Sequence, residues 1–425
     1  MKRIHVSLLV CSACLAFCMV SAAPASAQQP HIITFDAPGA DTTPGNLYGT
    51  FPGSINFWGT ITGYYQDANG TYHGFVRNPR GTFKTFDAPG ADTTAGDFNG
   101  TLPSSINDSG AITGSYYDTN GFGHGFVRSP DGKFTSFDVP GAGGYGSVPQ
   151  AINFEGAVVG LYTDSNFSFH AFLRTPDGKY KKWIGPDACT GNGADGCYGS
   201  GASNINAFGT IAGGYNDRNF VHHGLMRTRA GKLIAYNVPG AQATGCPGCN
   251  SGLNQWGTIA GTYSDANSVN HGYLRSSDGT FTTFDVPGAG TDPDEGTGCP
   301  SDCPTSLNDF GAVTGTYIDT NFVLHGYLRN PDGSIVTVDP LDTIFTWSSG
   351  INDFGAVAGY YADSNSVFHG FVAVACNQAC DENHEAAHAA TAVAPATTTS
   401  AFRALDNPKL RLSPRYRNFG VQPPK

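Results

Sequence analysis

The feature that most constrains the fold is a pair of short signals that recurs seven times at one fixed separation. An Asn-x-x-Gly signal is followed 17 residues later by His-Gly or His-Ala, and in six copies a strand-like residue (Phe86 in the first) follows the histidine by 13 residues. All variation in length falls between that residue and the next asparagine, where the gap runs from 14 to 24 residues. Rigid paired strands joined by one free loop would behave in this way. The asparagines are Asn56, Asn107, Asn153, Asn206, Asn254, Asn308 and Asn352, and the histidines are His73, His124, His170, His223, His271, His325 and His369.

Each copy contains the pattern of four short β-strands. In the first copy these are a strand ending at Ser54–Asn56, then Gly59–Tyr65, His73–Arg77 and Phe83–Phe86. The chain has 57 glycines and 12% aromatic residues, a composition that suits short strands joined by tight turns. Units of about fifty residues with four strands match the blades of a β-propeller of the kelch size class.

The two ends of the repeat region predict that the propeller closes. The last copy runs out after its third strand, His369–Val372, while the chain has an unpaired fourth strand at Ile33–Asp36. If that strand completes the last unit, no sheet edge is left exposed, whereas an open solenoid would leave both broken units uncapped. We therefore predict an all-β, seven-bladed β-propeller over residues 28–376, closed by its N-terminal strand.

Residues 1–27 are typical of a signal peptide. Lys2 and Arg3 precede an apolar run from Val6 to Val20, and Ala25-Ser26-Ala27 offers a cleavage site. Cleavage near Ala27 removes two positive charges from a net charge of −11 and leaves the mature chain near −13. We expect a secreted or periplasmic protein without a membrane span, and an acidic surface of this kind excludes nucleic acid as a partner.

Export also accounts for the cysteines that remain in the mature chain. Eight are left, in four close pairs, and an oxidising compartment favours local disulfides between them. The predicted pairs are Cys189 with Cys197, Cys246 with Cys249, Cys299 with Cys303, and Cys376 with Cys380.

Residues 377–425 read as a low-complexity, disordered tail with a basic end that could contact a surface. Within it, His384-Glu385-Ala386-Ala387-His388 fits the H-E-x-x-H motif of zinc proteases. No third ligand or folded context accompanies the motif, so we favour a Cys376–Cys380 disulfide followed by a mobile tail over a protease site.

The recurring His-Gly/Ala-aromatic element, literally His170-Ala171-Phe172 in the third copy, resembles the HAF repeat family of bacterial extracellular proteins. The resemblance covers residues 33–374 and involves every copy, although six copies have Gly in place of Ala. It implies an exported repeat protein, and it supplies no catalytic residues.

The recurring histidines each follow an aspartate by six residues. A histidine can act as a general base or a metal ligand, but a residue present in every unit is better explained by a hydrogen-bonding network within each sheet. Each aspartate also opens an Asp-x-Asn sequence that could bind Ca²⁺, although two oxygen donors fall short of a calcium site and turn stabilisation is simpler. No metal and no cofactor are predicted. The aspartates are Asp67, Asp118, Asp164, Asp217, Asp265, Asp319 and Asp363.

Three successive variable loops, 184–205, 237–253 and 285–307, combine cysteine pairs with acidic residues. We expect them on the same face as the Asp-x-Asn turns, and rigid loops on one sector of a scaffold are a common place for ligand binding. The predicted ligand-binding residues are Asp187, Asp195, Asp292, Asp294, Glu295 and Asp302.

The favoured function is a monomeric, non-enzymatic binding or scaffolding module for an extracellular glycan or protein. The alternative is a propeller hydrolase or lyase that acts on polysaccharide, which would need carboxyl groups converging on the central channel. A cell-surface structural protein without a small ligand is a third possibility.

Overall fold

The computed structural model describes residues 29–95, 99–143, 145–190, 199–245, 251–298 and 305–374. Throughout this part of the chain the regular secondary structure is β-strand, with no helix. Accordingly, the described residues offer no helical segment that could cross a membrane.

The strands form repeated antiparallel units, whose members we call inner, second, third and outer in chain order. Units one to four have one strand of each kind and differ little in length. Their strands are Thr50–Ile55 (β2), Ile61–Gln66 (β3), Tyr72–Arg77 (β4) and Phe83–Phe86 (β5); Gly100–Ile106 (β6), Ile112–Tyr117 (β7), Gly123–Arg128 (β8) and Phe134–Phe137 (β9); Ser147–Ile152 (β10), Val158–Thr163 (β11), Phe169–Arg174 (β12) and Tyr180–Trp183 (β13); Ser200–Ile205 (β14), Ile211–Asn216 (β15), His222–Arg227 (β16) and Leu233–Tyr236 (β17).

Units five and six follow the same plan with a divided inner strand, and the last unit takes its outer strand from the N-terminus (β1, His31–Phe35). The remaining strands are Ala243–Thr244 (β18), Gly252–Leu253 (β19), Ile259–Ser264 (β20), Asn270–Arg275 (β21) and Phe281–Phe284 (β22); Gly296–Thr297 (β23), Ser306–Leu307 (β24), Val313–Ile318 (β25), Leu324–Arg329 (β26) and Ile335–Thr337 (β27); Thr343–Ile351 (β28), Val357–Asp363 (β29) and Phe368–Val374 (β30).

The N-terminal strand β1 pairs antiparallel with β30, from His31 opposite Val374 to Phe35 opposite Gly370. The sheet order is therefore β1-β30-β29-β28, which gives the last unit the same four-stranded form as the others. The expected strand at Ile33–Asp36 thus begins two residues earlier and ends one residue earlier in the structure. The hydrophobic residues Phe35 and Val372 belong to one buried cluster with Ile55 and Phe75 of the first unit.

Arginine side chains lie across the interfaces between neighbouring units. Six arginines at the ends of third strands lie over an aromatic ring on the outer strand of the preceding unit, with Cζ-to-centroid distances of 4.5 to 5.0 Å. Arg77 of the first unit lies over Phe35 of β1, so β1 occupies the place of a preceding outer strand. The interface between the sixth and last units has neither the arginine nor the aromatic ring. Ala373 takes the place of the arginine, Val338 takes the place of the aromatic residue, and both are buried.

Asparagine side chains link successive inner strands. The Nδ2 of Asn56 donates to the backbone oxygen of Asn107, and each asparagine of the repeat does the same to the next. Asn352 in turn donates to the backbone oxygen of Asn56 at 3.4 Å, so the series returns to its start. Buried, hydrogen-bonded amides of this kind fix the position of each sheet relative to its neighbours. Four-stranded antiparallel units packed around a centre in this way are the architecture of a β-propeller.

The two ends of the units carry different connections. We call the end with the Asn-x-x-Gly turns the turn face, and the opposite end, with the Asp-x-Asn turns, the loop face. The connections between units lie at the loop face, as predicted, because they bond to the ends of second strands: Asp41 donates its backbone N–H to Gln66, and Asp92 to Tyr117.

Two of the cysteine-bearing segments are not simple connections between units. In unit one the inner strand has a bulge of one residue between Pro52 and Ser54. In units five and six the inner strand is divided at the corresponding place, between Thr244 and Gly252 and between Thr297 and Ser306. The expectation that loops 237–253 and 285–307 belong wholly to the loop face is therefore wrong, because each contains an insertion within an inner strand.

Candidate binding surfaces

Each recurring histidine lies against the aspartate that precedes it by six residues. The distances from histidine Nε2 to aspartate Oδ2 run from 3.0 Å at His170 to 3.7 Å at His271 and His369. The second and third strands form an antiparallel hairpin, which brings the start of the third strand back to the Asp-x-Asn turn. The structure thus brings together all seven predicted pairs.

A second acceptor holds the other ring nitrogen in six units. His73 Nδ1 lies 2.9 Å from Asp87 Oδ1, just beyond the outer strand, and His369 is held by Asp36, just beyond β1, at the same distance. The ring of each histidine also packs on a tyrosine of the second strand, with centroids 4.9 to 5.2 Å apart. The second acceptors were not identified from sequence, although they follow the histidine by 14 residues wherever the chain continues.

These contacts shift the pKa of three of the histidines upwards. For His73 and His369 the main cause is the hydrogen bond to Asp87 and to Asp36, respectively, with burial acting against it. For His325 burial lowers the pKa, but Asp339 and Asp319 outweigh that effect. Carboxylates on both sides of these three rings favour the protonated form, which suits a structural network better than a proton acceptor.

The aspartates of the Asp-x-Asn turns use both carboxylate oxygens within the turn. Asp67 Oδ1 accepts the backbone N–H groups of Asn69 and Thr71, and Oδ2 accepts the Asn69 amide and faces His73. Burial raises the pKa of Asp67, but these backbone donors outweigh it and keep the pKa below its ordinary value. In the described part of the chain no three His, Cys, Asp or Glu side chains are grouped to hold a metal ion.

The predicted ligand-binding residues have different surroundings. Asp187, Asp292 and Asp294 are exposed, and Asp294 is anchored through its backbone N–H to Ser268 of the neighbouring unit. Glu295 is only 2% exposed, and its carboxylate accepts the backbone N–H of Asp292 at 3.0 Å. Burial therefore removes Glu295 from the set that can reach a ligand, and it organises the loop instead. Asp195 and Asp302 lie outside the described residues.

Several other predicted features also fall outside the described part of the chain. Cys189 is described and buried, whereas the other seven cysteines of the mature protein are not, so the disulfide pairings stay predictions. The signal peptide, the His384–His388 motif and the basic tail are outside it as well.

The inner strands surround a cavity of about 110 Å³. Every unit contributes to its wall, and among the described residues that line it none is an acid or a histidine. The paired carboxylates that a polysaccharide hydrolase would need are thus not among these residues. One lining residue from each unit is, in order, Ser54, Ser105, Ala151, Asn204, Ser251, Ser306 and Gly350.

The turn face carries a feature that the sequence analysis did not recognise. In six units, one of the two variable positions of the Asn-x-x-Gly turn holds an aromatic residue whose side chain is 60% to 70% exposed. The sequence contains a signal for this feature, because the turns have constant length and an aromatic residue recurs beside the invariant glycine or one position earlier. We call this set the aromatic turn ring: Trp58, Phe154, Phe208, Trp256, Phe310 and Phe354.

Comparison with known proteins gives distant structural likenesses. No protein-family model matches the chain, and no curated protein sequence matches it. The BP39L lectin from Burkholderia pseudomallei is 11% identical, with a TM-score of 0.49 over 76% of this chain and 95% of the lectin. A puromycin hydrolase has a TM-score of 0.48 at 11% identity over 76% of this chain and 51% of its own.

The Aleuria aurantia lectin, described as a six-bladed β-propeller with a fucose recognition mode, is 12% identical, with a TM-score of 0.38 over 73% of this chain and 96% of its own. At such low similarity, a lectin and a hydrolase are comparably distant from this chain. These likenesses therefore transfer neither a ligand nor an activity to it.

Proposed function

We propose that this chain is an exported, seven-bladed β-propeller of the HAF repeat type that binds an uncharged glycan at its loop face. The observation that carries the proposal is the contrast between seven equivalent Asp–His–Tyr frames and the unequal loops that they support. A rigid repeated frame holds variable loops in place at low entropic cost, which is the usual basis of a binding surface.

The count and closure of the propeller are supported by contacts at the junction of the first and last units. The asparagine series returns from Asn352 to Asn56, and Arg77 lies over Phe35. Deleting residues 28–36 should therefore expose the edge of β30 and remove the ring partner of Arg77. We expect the melting temperature to fall by at least about 10 °C and the chain to self-associate. An unchanged melting temperature would contradict closure.

The choice of an uncharged glycan follows from the charges at the loop face. Asp187, Asp292 and Asp294 are exposed there, and the mature chain is strongly acidic, which disfavours anionic ligands. Carboxylates accept charge-assisted hydrogen bonds from hydroxyl groups, so a ligand rich in hydroxyls complements this surface.

A glycan array probed with the mature protein tests the proposal. We expect binding to uncharged glycans, and the double variant Asp292→Asn/Asp294→Asn should weaken it by about ten-fold or more, because each lost charge-assisted hydrogen bond costs about 1.5–3 kcal/mol. The matched control is Asp131→Asn/Asp177→Asn, two exposed carboxylates in the hairpins of the opposite face, which should leave affinity unchanged.

If the control variant weakened glycan binding as much as the loop variant does, the assignment of the binding site to the loop face would be contradicted. Absence of binding to every uncharged glycan, with capture of a protein ligand that needs Asp292 and Asp294, would keep the surface and overturn the ligand class.

A further inference from the structure

We propose that the aromatic turn ring is a docking surface for the chain's own basic C-terminal segment, Phe402–Phe419. The ring lies at the opposite end of the units from the proposed glycan site, so docking there does not depend on glycan binding.

Exposed aromatic side chains of this size are unusual on a protein surface. Trp58 is 64% exposed, Trp256 is 69% exposed and Phe310 is 70% exposed, although all three are on short turns whose backbones are tightly bonded. Where such rings adjoin, as Phe57 does with Trp58 and Phe354, the exposed apolar patch is typical of an interaction site.

Several of these rings are held in position before any partner arrives. The indole N–H of Trp58 donates to the backbone oxygen of Asp108, and that of Trp256 to Asp309, each at 3.0 Å. Phe57 packs against both Trp58 and Phe354 with centroid distances of 4.9 Å, so the first and last units share one aromatic cluster. A partner that docks on rings held in this way loses little to ordering them.

The same turns are acidic. They carry Asp108, Glu155, Asp309 and Asp353, and none of the seven Asn-x-x-Gly turns contains a lysine or arginine. Burial raises the pKa of Asp309, and repulsion by Asp353 and Asp108 adds to this effect. Outside this ring the hairpins between third and outer strands have mixed charges, such as the pair formed by Asp131 and Lys133. Aromatic rings beside carboxylates favour a cationic partner that also offers apolar side chains.

The C-terminal segment has that composition. Residues 401–425 contain six lysines and arginines and one acid, Asp406. Basic and apolar residues alternate in Lys409–Leu412 and again in Arg415–Arg417, which allows guanidinium groups to lie on the rings while leucine and tyrosine side chains pack between them.

The chain also leaves the propeller at the correct end. Ala373 of β30 lies opposite Val357, which follows the Asn-x-x-Gly turn of its own unit, so Val374 ends the strand at the turn face. The residues between Val374 and Phe402 number 27, and 27 residues reach at most about 90 Å, so the turn face lies within reach of the segment. Such a tether gives an effective concentration in the millimolar range, so weak contacts suffice for docking.

Acrylamide quenching of tryptophan fluorescence in the full mature chain tests docking, because two of the four tryptophans, Trp58 and Trp256, belong to the ring. The variant Arg411→Glu/Arg415→Glu/Arg417→Glu should raise the quenching constant about two-fold, and 1 M NaCl should raise it in the unaltered chain. The effect should disappear in a Trp58→Phe/Trp256→Phe background. Carbodiimide should join Lys409 to Glu155, Asp309 or Asp353.

The control is Lys84→Glu/Lys181→Glu/Arg218→Glu, which makes the same change in net charge at exposed positions outside the Asn-x-x-Gly turns. This variant should leave the quenching constant unchanged. Equal quenching in the tail variant and the unaltered chain, without the cross-links, would overturn the proposal. Cross-links that form only between copies in an isotope-mixed sample would overturn docking within one chain.

Discussion

The turn face and the loop face of this propeller are built on opposite plans. At the turn face every Asn-x-x-Gly turn has the same length of four residues, and the asparagine side chains bond one unit to the next. At the loop face the connections vary, and each Asp–His pair bonds within its own unit. The difference shows that the turn face keeps one geometry in every unit, whereas the connections of the loop face are free to change in length.

The difference also separates two kinds of surface diversity. On the turn face the backbone is constant and the two central side chains vary, from Phe57 and Trp58 in the first unit to Asp108 and Ser109 in the second. On the loop face the side chains of the frame are constant and the loops vary. A rigid turn presents a fixed pattern of side chains, and a variable loop presents a shape.

If the asparagines at the turn face were dispensable for stability, the contrast between the two faces would fail. The variant Asn206→Ala tests this, and we expect it to give the largest loss of stability among these variants. Asn206 is 2% exposed, donates to the backbone oxygen of Asn254 and accepts the N–H of Thr210. Its loss leaves buried polar groups of two units without partners, so we expect a loss of about 4 kcal/mol in the free energy of unfolding, measured with guanidinium chloride.

The matched control for that variant is Asn78→Ala. Asn78 holds a turn of the same form through the N–H groups of Arg80 and Thr82, but it lies at the periphery and both of these bonds stay within its unit. We expect a loss of about 1 kcal/mol. Equal losses for the two variants would show that the bonds between units add nothing to the turns themselves.

A second test concerns His222 at the loop-face end of β16. Burial and, to a smaller extent, the neighbouring His223 lower the pKa of this side chain to about 4. Because the unfolded chain binds the proton more tightly, His222 costs stability as the pH falls from about 6.5 to 4, up to about 3 kcal/mol. His222→Phe, which places there the residue found at Phe169 and Phe368, should be more stable than the unaltered chain at pH 4.

That gain should be confined to acid. At pH 7.5 His222 is neutral in both states, and the variant should differ from the unaltered chain by less than about 1 kcal/mol. A gain of the same size at both pH values would show that the phenylalanine acts by packing alone and that His222 does not titrate as described.

We expect the smallest loss of stability from a change in the Asp–His frame, because its bonds stay within one unit. The pKa of His73 is raised by Asp87, so its contribution is present below pH 6.5 and is lost as the pH rises through the folded value. His73→Gln should therefore cost less than about 1 kcal/mol, with more of the loss at pH 5.5 than at pH 8.5. His170→Gln is the control, because Ile184 occupies the place of Asp87.

Spacing alone predicted a large part of this structure. The constant separation of asparagine and histidine placed the second and third strands of the first unit to within two residues, because hairpins with tight turns allow no insertion. It also indicated that each Asp-x-Asn turn meets its histidine, since both belong to one hairpin. The pairing of the N-terminal strand with the last unit followed from an orphan fourth strand at the start of the repeat region and a last unit that lacks one.

Other features depend on contacts between units, which local sequence does not record. The bond from Asn56 to Asn107 joins residues 51 positions apart, and Arg77 meets Phe35 across the junction of the chain ends. The inner strands of units five and six show the same limit, because only pairing with the second strand reveals that the insertions divide a strand.

The sequence by itself therefore determined the repeated hairpins and the strand that each unit needs. The tertiary structure alone decided which residues remain exposed, turning Trp58 and Phe354 outwards and burying Glu295, because exposure depends on how neighbouring units pack.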